Sequence, residues 1–256
     1  MQERVQLGRI YADRLTFSGA LDAIAALVLS GRGGYVVTPN VDHLCLAEHS
    51  RALRHAYRGA RLSLVDGMPL VWLARALGQP LPAKISGSDL TPRLMHRAAH
   101  AGWRVYFLGA NEGVGKRAAC VLKNAYPDLQ IVGVDAPRLG FERHRRDNDA
   151  VIERLQDARP NIVLVALGCP KQELWMADHA HKVPSAIFLG IGATLDFISG
   201  RLKRCPAWMS ASGLEWLYRL SQQPRRLARR YLVRDRAFLA IAWRTWRNAS
   251  VTRATA

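Results

Sequence analysis

The chain's 256 residues and formal net charge of +17 allow a full buried core and point to an anionic partner: nucleic acid, a membrane surface or a phosphorylated substrate. Four cysteines, Cys45, Cys120, Cys169 and Cys205, lie far apart with no CxxC pair, which excludes a zinc ribbon and a secreted disulfide framework and fits a reducing compartment. The opening MQERVQLGRIYADRL carries charges where a signal peptide needs an apolar segment, and no run of 18 apolar residues occurs, so the expectation is a cytoplasmic protein, soluble or surface-bound.

Residues 4–10 alternate weakly and predict a strand, followed by a helix over 18–29 with Ser18 as N-cap. Tyr35-Val36-Val37 reads as a short buried strand running into Thr38-Pro39-Asn40, and helical spacing then covers 41–58. Thr38 and Asn40 stand at a strand-to-helix crossing, where they either cap the helix or turn hydrogen-bonding groups into a crevice. The rest of the chain is organised around the next unit. An apolar run from Ala60 stops at Asp66-Gly67, and helical spacing resumes over 68–77. In open parallel sheets ligands bind beyond the carboxyl ends of the strands. A carboxylate there either caps the following helix or acts as general base toward a substrate hydroxyl.

Residues 84–90 form a polar, glycine-bearing loop in which Ser88 or Asp89 is the natural N-cap of a helix reaching 101, and 104–108 is another strand. The segment from Gly109 to Lys116 opens a helix but is not a Walker loop, because its glycine spacing is wrong and Arg117 stands where Ser or Thr would hold magnesium; the GxGxxG fingerprint fails too. What remains is a helix N-terminus able to bind an anion weakly. After a strand over 129–134, Asp147-Asn148-Asp149 matches the DxD pattern of metal-holding sugar transferases. It precedes a helix over 150–158 and follows a basic loop, so capping and dipole compensation explain it better, and no metal or other cofactor is expected.

The strand over 161–167 is the most apolar, and it ends in Gly168-Cys169-Pro170-Lys171-Gln172-Glu173. Pro170 and Glu173 suit a helix start, whereas Gln172 has no such structural role. His179 and His181 are two residues apart and share no helical face, which argues against a metal there. A last strand over 186–191 leads to Asp196. Strands and helices alternating this regularly predict an α/β fold: a Rossmann-like, mostly parallel sheet with helices on both faces. Asp66, Thr38, Asn40, Gln172 and Asp196 then gather on one edge of it.

The texture changes after residue 200. Residues 201–256 carry a net charge of +11, leaving +6 for the first 200. Trp and Arg recur at helical spacing over 208–220 and 223–247, predicting two helices that either lie in a membrane interface or pack an aromatic stripe on the core. The expected organisation is an α/β core over 1–200 and a basic helical appendage over 201–256. Arginines this dense over 225–247 repel one another unless neutralised, which favours an anionic partner.

Thr38-Pro39-Asn40, Asp66-Gly67, Gly87-Ser88-Asp89-Leu90, the 168–173 segment, Gly192-Ala193-Thr194-Leu195-Asp196, Arg204-Cys205-Pro206-Ala207-Trp208 and the run from Gly213 to Leu220 together resemble the WecG/TagA/CpsF family of bacterial glycosyltransferases. The resemblance spans nearly the whole chain, and its specificity lies in the order and spacing of the segments. It implies transfer of a hexose, of N-acetylmannosamine type or glucose, from a UDP-sugar to a polyprenyl-diphosphate-linked sugar, with inversion, at the inner face of the cytoplasmic membrane. It also implies Asp66 as general base, Thr38, Asn40, Lys84, Gln172 and Asp196 as substrate-binding groups, and Arg219, Arg226 and Arg229 as arginines of an appendage closing over the site. Lys84 stands where many members carry arginine, giving a point charge instead of a fork. The alternative, a basic nucleic-acid-binding protein without catalysis, lacks any helix-turn-helix, zinc or RNA-motif signature.

Overall fold

A computed structural model describes residues 3–254, except for the side chains of residues 207, 211, 226, 232, 233 and 249–254. Two short strands, β1 (Arg4–Leu7) and β2 (Ile10–Asp13), form an antiparallel hairpin. Six parallel strands follow: β3 (Gly34–Val37), β4 (Leu62–Ser63), β5 (Arg104–Gly109), β6 (Gln130–Asp135), β7 (Ile162–Ala166) and β8 (Ile187–Gly190). They lie in the order β4-β3-β8-β7-β5-β6.

Helices α1 (Phe17–Ser30), α2 (Val41–His49), α3 (Arg51–Gly59), α4 (Met68–Ala76), α5 (Gly87–His100), α6 (Val114–Ala125), α7 (Arg145–Ala158), α8 (Lys171–His179) and α9 (Thr194–Ile198) cover the sheet. Successive side chains of a strand point to opposite faces, and the core divides accordingly. Val163, Val165, Tyr35 and Phe188 face one apolar cluster with Leu44, Leu53, Leu70, Val151 and Trp175 from α2, α3, α4, α7 and α8. Ile162, Leu164, Val36 and Leu189 face the other, with Ile24, Leu94, Leu122 and Leu195 from α1, α5, α6 and α9. Burial on both faces explains why the strands read as unbroken apolar runs.

This is the α/β architecture expected, and several local differences have identifiable causes. The weak alternation over 4–10 is half of a hairpin whose second strand supplies Asp13. That buried carboxylate accepts from the Ser63 amide (2.6 Å) and from Arg4 Nε (2.9 Å), so it closes the exposed edge of β4. The helix expected over 41–58 breaks at Ser50, which turns extended and accepts the Leu53 amide on its hydroxyl. The first helix is capped by Thr16, not Ser18. Helix α5 is capped by Ser86, not by Ser88 or Asp89; Asp89 lies in its first turn and accepts from the Ser86 hydroxyl at 2.6 Å.

The C-terminal part is more broken than the two helices expected. It comprises α10 (Ala207–Ala211), α11 (Glu215–Gln222), α12 (Pro224–Arg229), a π-helical turn over Arg230–Arg234 and α13 (Ala237–Ala254). Gly213, at φ +70°, separates the first two, and Pro224 opens α12 at a position where its missing amide is no loss. Helix α13 returns to the core, burying Ile241 in the cluster of α2 and the hairpin. No described helix is long and apolar enough to cross a membrane.

Asp13→Ala strands the buried Ser63 amide and should lower stability by about 2 to 3 kcal/mol, against about 1 kcal/mol for Ser63→Ala, which removes only the hydroxyl bond to the Tyr11 carbonyl. Urea midpoints of the two variants check this order; equal losses would contradict it.

Candidate functional site

Chain direction in the sheet creates the site. From β5 the chain passes through α6 on one face, and from neighbouring β7 through α8 on the other, so the loops part at their carboxyl ends and leave a crevice. A polar cavity of about 360 Å³ occupies it, lined from the ends of all six parallel strands. Thr38, Asn40, Asp66, Gln172 and Asp196, expected on one edge, all line it. So do Gly109, Ala110 and Asn111 at the turn before α6, the segment set aside as a Walker loop.

A second cavity of about 790 Å³ lies between α4 and the C-terminal helices. Its walls are mostly apolar, including Trp72, Trp216, Leu239 and Trp243. Four residues, Asn40, Asp66, Arg219 and Arg230, line both cavities and form the wall between them.

Asp66 does not cap α4. The N-cap is Gly67, with no side-chain cap, and no described residue hydrogen-bonds the Asp66 carboxylate. Its backbone is pinned, with the Asp66 amide donating to the Pro39 carbonyl at 2.8 Å and the Ile85 amide to the Val65 carbonyl at 2.7 Å. Burial, and then the neighbouring Glu215 carboxylate, push its pKa from 3.8 to about 6, while Arg219 and then Lys84 pull the other way. An ionised carboxylate without hydrogen-bond partners and with a raised pKa is suited to accept a proton near neutrality.

Asn40 does cap α2. Its Oδ1 accepts from the Asp42 amide and from Arg230 Nη2, both at 3.1 Å, so its remaining group for a ligand is Nδ2. Thr38 donates its hydroxyl to the Gly190 carbonyl at 2.9 Å. Gln172 has the structural role its sequence context hid. It is buried; its Oε1 accepts from the Gly192 amide (3.1 Å) and its Nε2 donates to Glu173 Oε1 (2.7 Å). Glu173 in turn meets His43 Nε2 at 3.2 Å. The Asn40 amide donates to His43 Nδ1 at 3.1 Å, which leaves the ring proton on Nε2. His43, Cys169 and Glu173 bring their ligand atoms within 4.8 Å of one another, but an Nε2 that carries a proton offers no lone pair to a metal, so the trio is a hydrogen-bonded clamp. With the Gln172–Gly192 bond it ties the ends of β3, β7 and β8 together.

Lys84 lines the apolar cavity and reaches the appendage. Its Nζ donates to Ser210 Oγ at 2.5 Å and stands 3.6 Å from Glu215 and 3.8 Å from Asp89. Asp196 accepts from Arg201 at 3.5 Å. Arg219 packs its guanidinium over the Phe197 ring, 5.1 Å from the centroid, and pairs with Glu215. The side chain of Arg226 lies outside the described residues. Arg229 is exposed and is not among the residues lining either cavity; its neighbour Arg230 takes that position. Asp147-Asn148-Asp149 lies inside α7 instead of before it, with Asp147 paired to Arg138, and Asn148 buried and accepting from Trp175 Nε1. None of the three lines either cavity.

Sequence reasoning missed Arg230, Asp42, Glu215 and the His43–Glu173 clamp. Buried Asp42 pairs with Arg230 (3.3 Å) and Arg234 (2.8 Å), and Glu48 with Arg244 (2.7 Å). Core carboxylates thus neutralise several of the arginines whose density suggested an external anion. Asp42 just after an N-cap reads as dipole compensation, and only the fold reveals its second use.

The whole chain bears comparison with known proteins. The glycosyl transferase WecG/TagA/CpsF family model matches residues 5–252. An N-acetylglucosaminyldiphosphoundecaprenol N-acetyl-beta-D-mannosaminyltransferase of Bacillus spizizenii is 31% identical over 198 residues, covering 77% of this chain and 75% of that protein. The protein of the same description from Bacillus subtilis strain 168 is 30% identical over 197 residues, covering 77% and 75%.

Asp42→Ala should free the appendage. Amides of 224–248 are expected to exchange with solvent at least about tenfold faster, while those of β7 keep their protection. Unchanged exchange would show that Asp42 does not hold it.

Proposed function

The chain belongs to the WecG/TagA/CpsF family of glycosyl transferases, and we propose that it transfers an N-acetylmannosamine-type hexose from a UDP-sugar to a sugar linked through diphosphate to a polyprenyl lipid. The observation that carries this reading is the position of Asp66 on the wall shared by a polar and an apolar cavity. The nucleotide sugar fits the polar side, where backbone turns at Gly109 and Gly192 and the Asp196 carboxylate offer partners for phosphate, sugar and uridine. The acceptor approaches from the apolar side.

Asp66 takes the proton of the acceptor hydroxyl as that oxygen attacks the anomeric carbon. The bond from that carbon to the diphosphate breaks with its electron pair, UDP departs, and the configuration inverts. Arg219 and Arg230, on the same wall, meet the negative charge that builds on the departing diphosphate; guanidinium groups do this through paired hydrogen bonds. Asn40 and Thr38 orient the sugars, and the Gln172–Glu173–His43 clamp holds the strand ends at which they sit. In this reading residues 201–256 act as a lid that also associates with the inner membrane face through exposed Trp208, Trp216 and Trp243. Nucleic-acid binding is disfavoured, because Arg234 and Arg244 of the basic segment are occupied by Asp42 and Glu48.

Asp66→Asn should lower transfer on the order of 10² to 10⁴-fold while leaving UDP binding by calorimetry within about threefold. Wild-type rates would overturn the assignment. The base works only when ionised, so kcat/KM should rise with pH through an acid limb near 6, following the shift at Asp66. Glu215→Gln removes the neighbouring negative charge, and the limb should move to lower pH. A limb that stays in place would remove Glu215 from this role.

A further inference from the structure

We infer that the apolar cavity beside Asp66 is a built subsite for the first isoprenoid units of the acceptor lipid. This deepens the function proposed above and rests on it. Met68, Trp72 and Ala76 line the cavity at four-residue spacing along one face of α4, a stripe about 12 Å long that begins two residues after Asp66. Phe238, Ala242 and Trp246 supply the opposite wall from α13. Gly213 closes the slot against α4, since a Cβ there would lie 2.6 Å from the Trp72 ring.

The occupant follows from the charge pattern. A sugar laid along these walls would leave its hydroxyls without partners, at a substantial desolvation penalty. A bilayer acyl chain would press hydrocarbon against Asp66, Lys84, Glu215, Arg219, Arg230 and Asp235 and offer them nothing in return. A prenyl diphosphate matches both parts: hydrocarbon between α4 and α13, and diphosphate against Lys84 and Arg219, in place of their contacts with Glu215, where the slot meets Asp66. Such a site measures the acceptor from its tail, placing the sugar hydroxyl at the base before transfer.

The test uses two acceptors with the same N-acetylglucosaminyl diphosphate head, one carrying a farnesyl tail and one a methyl group. Wild-type protein should favour the farnesyl acceptor by at least about tenfold in kcat/KM. Filling the slot with Ala76→Trp or Ala242→Trp should cut that ratio at least about threefold, with melting temperatures showing that both variants fold. A second arm needs no turnover. Trp72, Trp216, Trp243 and Trp246 line the slot, so farnesyl diphosphate should shift tryptophan emission to shorter wavelength, whereas inorganic diphosphate should not. Anionic vesicles free of isoprenoid should leave that response to farnesyl diphosphate intact. An unchanged acceptor ratio in both folded variants overturns the inference and leaves the transferase reading standing. Emission that responds equally to farnesyl and inorganic diphosphate, or to vesicles alone with nothing further from the prenyl compound, overturns it as well. Transfer by the wild type to neither acceptor would fail the transferase reading, and the emission arm would then decide whether the slot takes prenyl diphosphate.

Discussion

One buried carboxylate holding two guanidinium groups gives this molecule its working shape. Asp42 sits in the first turn of α2, 3% exposed, and pairs with Arg230 and Arg234 of the π-helical turn. Removing an anion from water is costly unless it is paired and hydrogen-bonded, and the helix N-terminus and two arginines together meet that requirement. The consequence is positional. Arg230 and Arg234 hold the turn between α12 and α13 against the start of α2, and the space between the C-terminal helices and α4 is the apolar cavity.

With the lid so placed, Asp66 has contrasting surroundings. The polar cavity on one side is walled by strand ends, backbone turns and clamped side chains; the apolar one on the other by tryptophans and aliphatic groups. The carboxylate feels opposing fields: burial and Glu215 raise its proton affinity, while Arg219 and Lys84 lower it. A proton affinity closer to neutrality emerges from that balance, because all three neighbours named belong to the C-terminal helices or contact them. The raised pKa also carries a stability consequence. A carboxyl whose folded-state pKa exceeds its unfolded value binds its proton more tightly when folded, so its contribution turns unfavourable as pH rises from about 4 through 6. The site accepts that strain where the chemistry needs it.

Much of this was legible in the chain itself. Doubly buried strands leave continuous apolar runs, so the sequence alone aligns the strand ends, and with them Thr38, Asn40, Asp66, Gln172 and Asp196, on one edge. What escaped depends on contacts distant in sequence. Arg230 reaches Asn40 across 190 positions, and nothing in a stretch of adjacent arginines marks which of them points inward; Arg230, the first residue of the π-helical turn, takes the place expected of Arg229. Gln172 read as a free functional group because its partners, Gly192 and Glu173, are set by a loop and a neighbouring carboxylate rather than by helix chemistry. Ser50 and Ser86 were hidden by intact helical periodicity on either side of a break, or by a better-looking cap two residues on. The C-terminal segment carried two readings, a helix in a membrane interface or a stripe packed on the core; Ile241 of α13 packs on the core, while Trp208 and Trp243 are exposed.

The central claim is that Asp66 separates a nucleotide site from a lipid-acceptor site. The most direct measurement is a structure with UDP and a prenyl-diphosphate-linked N-acetylglucosamine both bound. It should show the nucleotide against Gly109, Gly192 and Asp196, and an acceptor hydroxyl within hydrogen-bond distance of the Asp66 carboxylate on the α4 side. Both ligands on the same side of Asp66, or an Asp66 touching neither, would contradict the account.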